Sequence, residues 1–123
     1  MAKYESQIVA IGELTQEFID GGILVFFGPD APDELAEIAI IHSHAPLITE
    51  LRDGDYLVIG DQTWPILCVG EIANHNLRAL GHFIVKFNGA TSPELPGDIS
   101  VPESAPPTIT LGMRIQFLDG TPA

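Results

Sequence analysis

The sequence predicts a mainly β fold, a small antiparallel barrel or barrel-like sandwich with one or two short helices. Three observations predict it. The apolar segments are short and rich in Val, Ile and Phe, the residues that suit a pleated, half-buried surface. Glycine, proline and aspartate interrupt them at the close spacing of strand turns. The 46% of apolar residues is spread along the whole chain, which supports a packed core despite a net charge of −12. A chain of 123 residues is expected to form one domain over residues 1–123 and to hold a core without staples.

The elements follow in chain order. "YESQIVAIG" alternates loosely and reads as a first strand, and "GGILVFFG" as a strand buried on both faces. In "LAEIAIIHSH" the front, "PDELAEIA", suits one helical turn after Pro32, with acids placed well for the helix dipole. The β-branched back reads as strand. "DYLVIGDQTWPILCVG" reads as a hairpin turning at Gly60-Asp61, with Pro65 marking an edge or a bulge. "NHNLRALGH" is the clearest helix, over Asn74 to Leu80, with Asn74 as its cap and Gly81 at the left-handed C-terminal position. "HFIVKFNG", "DISV" and "MRIQFL" complete about eight short strands. The last two follow proline-rich loops.

Composition excludes several functions. With 17 acidic against 5 basic residues, the chain repels nucleic acid backbones and favours a partner with a basic face. The single cysteine, Cys68, rules out an internal disulfide or a multi-cysteine zinc site. It reads as a small buried apolar residue. No apolar run approaches the roughly 20 residues that span a bilayer, and the N-terminus lacks a signal-peptide pattern. The expectation is a soluble, intracellular protein without direct membrane insertion.

Two of the four histidines stand together in "AIIHSHAPL". Alternate strand residues share a face, so Ile38, Ile40, His42 and His44 would lie on one side, with Ala39, Ile41 and Ser43 on the other. Pro46 ends the pairing beyond them, which predicts a partly exposed pair at a strand end. Three readings stand open on spacing alone. The rings are hydrogen-bonded and do nothing more. They hold a metal, as in the H-x-H of cupins, although Glu50 comes late for that pattern and the spacing after His82 does not fit it. Or one imidazole is a nucleophile that carries a phosphoryl group while its neighbour steadies it.

Three blocks, "IHSHAPL", "NLRALGHFIVKFNG" and "LPGDISV", in this order and spacing, resemble the IIA component of the glucitol/sorbitol-specific phosphoenolpyruvate-dependent sugar phosphotransferase system. The likeness extends over nearly the full chain. It implies a cytoplasmic phosphocarrier that needs no cofactor and no metal. Such a component takes a phosphoryl group from the histidine phosphocarrier protein. It passes the group to a IIB component that uses a cysteine, and the membrane component IIC couples this to sugar entry. The resemblance also implies that the first histidine of the block, His42, is phosphorylated. Ser43 stands where some relatives have cysteine, which a phosphohistidine mechanism does not need. His44 is expected to orient the ring or stabilise the phosphoryl group, and Nε2 of His42 is the expected nucleophile because it projects furthest from the chain.

Arg78 and His82 are possible supports. Arg78 reads first as a surface helix cation, and His82 equally as a structural hydrogen-bonding residue. His75 reads as solvated and Trp64 as a core or edge anchor. The rim of Ile40, Ala45, Pro46 and Leu47 would suit docking of a partner. No sugar site is expected, since the sugar binds the membrane component.

Overall fold

The computed structural model describes residues 1–120. Nine strands form one sheet: β1 (Ala2–Ile11), β2 (Ile23–Phe27), β3 (Ile40–His42), β4 (Tyr56–Ile59), β5 (Gln62–Pro65), β6 (Cys68–Val69), β7 (Phe83–Lys86), β8 (Asp98–Ser100) and β9 (Arg114–Leu118). Their order is β5-β4-β9-β1-β3-β2-β7-β8-β6. The two edge strands, β5 and β6, are joined by Ile66 and Leu67 alone. Three residue steps from Pro65 to Cys68 span at most about 10 Å, so the edges must lie close together. The sheet therefore curls into a barrel-like form. The expected β-rich, barrel-like class is what the chain adopts.

Most pairings are antiparallel, as expected, but β2 pairs with β3, and β7 with β8, in parallel. Each parallel pair needs a crossover rather than a hairpin. The segment holding α2 (Asp33–Ala36) and the proline-rich loop after Phe87 supply these crossovers. The β4–β5 hairpin turns at Gly60-Asp61 as predicted, with Ile59 opposite Gln62 and Gly60 at φ +63. Pro65 lies in an edge strand, where its missing N–H costs no ladder bond.

The helices are α1 (Thr15–Asp20), α2 and α3 (Ala73–Leu80). The sequence reading had no counterpart for α1, whose six residues are too few for a readable period. Asn74 does not cap α3. Its amide instead accepts from the Leu51 N–H at 2.7 Å and donates to the Leu51 carbonyl at 3.0 Å, tying the helix to the 51–55 loop. Gly81 ends α3 in the left-handed conformation, φ +65, as predicted.

Strand alternation sorts the core. Leu24 and Phe26 of β2 face inward with Tyr4, Ile8, Ile40, Phe83 and Phe117. Val25 and Phe27 point outward with Ala39 and Ile41, under Phe18 of α1 and Ala36 of α2. This second cluster explains why β2 is buried on both faces. Two buried carboxylates, Asp55 and Asp98, are each ion-paired. Lys3 meets Asp55 at 2.8 Å, and Lys86 meets Asp98 at 2.8 Å. Asp98 Oδ2 also accepts from the Leu95 N–H, so the "LPGD" block builds the turn into β8. Cys68 is buried, and Trp64 packs edge-on against Phe87 with ring centroids 5.4 Å apart.

Candidate functional site

His42 is the last residue of β3, paired opposite Ile8 of β1. Its inward position seats the ring among Tyr4, Phe26 and Phe83, each in edge-on contact. The ring has 0% exposure, which corrects the expectation of a partly exposed His42. The physical reason is the α3–β7 turn. It crosses the end of β3 and lays the Gly81 carbonyl 2.6 Å from His42 Nε2. A carbonyl can only accept, so Nε2 carries a proton here. The opposite nitrogen, Nδ1, lies 2.8 Å from the Ser6 hydroxyl, which donates to it. The expected outward reach of Nε2 is thus corrected as well, because that atom lies beneath the turn.

Burial holds His42 a free base, with its pKa pushed down to about 4. The hydrogen bond to the Gly81 carbonyl opposes this, and the neighbouring His44 adds to it. A neutral ring is what a nitrogen nucleophile needs.

His44 lies two residues beyond β3 with φ +48, the one non-glycine residue at positive φ among those described. The chain leaves the strand there, so the pair does not share a strand face. The turn nonetheless brings the rings together, 6.2 Å apart and near perpendicular. His44 is half-buried. Its Nδ1 lies 2.7 Å from the Tyr4 hydroxyl, which also accepts the Ala45 N–H at 3.1 Å. Donation to His44 Nδ1 gives the phenol O–H its acceptor, and the His44 proton then sits on Nε2. Burial raises the Tyr4 pKa to about 12, against smaller lowering contributions from Ala45 and Ser6, so the phenol keeps its proton.

His44 opens on a shallow cleft lined by Pro29, Ser43, Ala45, Pro46, Leu47 and Arg78. Arg78 comes from the last turn of α3 and is exposed, so it contributes charge to the cleft. His82 turns elsewhere: its Nδ1 meets the Phe26 carbonyl at 3.1 Å and its ring stacks on Phe27 at 4.6 Å. His75 is exposed on α3.

Sequence reasoning passed over Tyr4, Ser6 and the Gly28–Gly81 approach. The alternating positions Tyr4, Ser6 and Ile8 are all buried on β1, so a serine between two apolar inward positions was the available signal. Gly28 donates to the Leu80 carbonyl at 3.1 Å, and a Cβ on Gly81 would lie 3.2 Å from Gly28 Cα. Both glycines let the two chain segments close over the histidines. Among the described residues, no three His, Cys, Asp or Glu side chains are grouped to hold a metal. Nor is any helix long and apolar enough to cross a membrane.

Comparison with known proteins gives one answer. The family model for the PTS system glucitol/sorbitol-specific IIA component matches residues 3–116. Two relatives, each a PTS system glucitol/sorbitol-specific EIIA component, come from Shigella flexneri and Escherichia coli strain K12. Each is 32% identical over 114 residues, covering 93% of both chains. The crystal structure of a PTS system IIA component from Enterococcus faecalis V583 superposes with a TM-score of 0.84 at 29% identity. It covers 94% of this chain and 99% of that one. The chain belongs to the family of glucitol/sorbitol-specific IIA components of the phosphotransferase system, and phosphoryl transfer is the role its family carries.

Proposed function

We propose that this chain is the cytoplasmic phosphoryl carrier for glucitol or sorbitol uptake, and that it bears the phosphoryl group on His42. It takes the group from the histidine phosphocarrier protein and passes it to the IIB component, for use with IIC. It is one component of a relay and not a stand-alone enzyme. The observation that carries the reading is the juxtaposition of His42 and His44 beside an open, partly apolar cleft that also holds Arg78.

The chemistry follows from these groups. The neutral His42 ring attacks phosphorus in line, and the protein contributes position and charge stabilisation. The Nε2–H of His44 and the Arg78 guanidinium are donors for the phosphoryl oxygens as charge moves across them. Ala45, Pro46 and Leu47 form a shallow rim that a partner's active residue can approach, whereas Ile40, expected in that rim, is buried in the core because it faces inward on β3. The acidic surplus steers partners with basic faces, so transfer slows as salt rises.

A second reading has one observation in its favour. His44 lies in the cleft while His42 is fully buried, so His44 could take the group with less rearrangement. Labelling from phosphoenolpyruvate through enzyme I and the phosphocarrier, with mapping of the phosphohistidine, separates the two. The proposal expects label on His42, none in His42→Ala, and slow labelling in His44→Ala. The loss there is on the order of 10²-fold, as for a donor acting in the transition state. Label on His44 that persists in His42→Ala would exchange the roles.

A further inference from the structure

Ser6 occupies a position that packing alone would give to an apolar residue. It is buried on β1 between the inward Tyr4 and Ile8. Its hydroxyl meets His42 Nδ1 at 2.8 Å, and the Gly81 carbonyl meets Nε2 at 2.6 Å. These partners are not equivalent. A carbonyl accepts only, whereas a hydroxyl accepts or donates as its proton rotates. The closed arrangement therefore fixes one tautomer, with Nε2 protonated and Nδ1 accepting from Ser6. Nδ1 faces the buried Ser6, whereas Nε2 faces Gly81, which packs against His44 at the cleft, so Nε2 is the nitrogen nearer the cleft, and attack through it requires the other tautomer.

We infer that Ser6 is a positioning residue that holds the His42 ring in both tautomers, and that release of Nε2 from the Gly81 carbonyl admits the phosphoryl group. The inference rests on the reading of His42 as the acceptor. On release, Nε2 gives its proton to water and Nδ1 takes one from water, with no net change. Ser6 turns its hydroxyl and accepts from the new Nδ1–H. The Nε2 lone pair then forms the bond to phosphorus. The donor's N–P bond breaks, and its electron pair stays on the donor nitrogen. Nδ1 keeps its proton throughout, and the positive charge that develops on the ring strengthens its bond to Ser6.

The test uses Ser6→Ala and Ser6→Thr in the full chain, with the wild type. Nitrogen NMR of the histidines should find Nε2 of His42 protonated before phosphorylation in the wild type and in Ser6→Ala, because the Gly81 carbonyl remains. After phosphorylation the wild type should give a protected Nδ1–H signal that Ser6→Ala lacks. The kcat for accepting the group should fall about tenfold or more in Ser6→Ala, the worth of one hydrogen bond to a charged group. The KM for the phosphocarrier should not change, since Ser6 is buried away from the cleft rim. Ser6→Thr restores the hydroxyl and should recover most of the rate. A Ser6→Ala protein with wild-type kcat and a protected Nδ1–H would overturn the inference. So would a Ser6→Thr protein as slow as Ser6→Ala, or a wild-type resting ring protonated on Nδ1. Label mapped to His44 in the wild type would instead overturn the reading beneath it, so the two failures are distinct.

Discussion

Gly81→Ala separates backbone strain from crowding at the histidine pair. Gly81 sits at φ +65, where an alanine pays about 1 kcal/mol or more. Its Cβ would also lie 3.0 Å from Cγ and Nδ1 of His44 and 3.2 Å from Gly28 Cα. The Gly28 backbone cannot easily give way, so the His44 ring must shift off its rotamer, at roughly another 1 kcal/mol. The sum is about 2 kcal/mol. An unfolding entropy of about 2.1 cal/mol/K per residue over 123 residues turns this into a fall in Tm of roughly 8 °C. The control is Gly112→Ala, at φ +84 with nothing within 4 Å of the added Cβ. It carries the backbone cost alone and should lower Tm by about half as much. Calorimetry of both variants gives the difference. The labelling assay should be slowed in Gly81→Ala and unchanged in Gly112→Ala, because only the first displaces His44. Equal falls in Tm, with normal labelling in both, would refute the argument that Gly81 is required for the approach to His44 as well as for its φ.

Three further outcomes are expected. His42 has a folded-state pKa of about 4 against 6.5 when free, so the unfolded chain binds the proton first as pH falls. Its neutral burial is without penalty above about pH 6.5 and costs on the order of 3 kcal/mol by about pH 4. Denaturant titrations should therefore show the wild type losing more stability than His42→Gln over that window, and parallel losses would count against a buried free base. Tyr4→Phe removes the partner of both His44 Nδ1 and the Ala45 N–H. It should cost about 1–2 kcal/mol in denaturant titration and mix the His44 tautomers in nitrogen NMR; an unchanged tautomer would refute the assigned Tyr4 donation. Lys3→Met leaves Asp55 buried without its cation and should cost roughly 3–5 kcal/mol. A loss below about 1 kcal/mol would mean that the Arg52 and Gly120 N–H groups, which also bond Asp55, are sufficient for it.

The sequence by itself determined much of the local structure. Gly60-Asp61 set the β4–β5 hairpin, and Gly81 ended α3, because both depend on φ values that glycine adopts freely. The unbroken apolar run of β2 declared a strand buried twice, and the H-x-H block marked the residues that the fold brings together. Tertiary structure decided the rest. A segment of three residues such as β3 is too short to announce a parallel partner, so the two parallel pairings were not legible. Asn74 offered itself as a helix cap, but a loop 23 residues earlier in the chain claimed its amide. Alternation put His42 and Ile40 on one face correctly, yet it is silent on what covers that face. The cover is the Gly81 carbonyl, 39 residues further along the chain. Whether an imidazole nitrogen is free or capped depends on contacts between distant segments. Periodicity reports which way a side chain points, and only the folded chain reports what it meets.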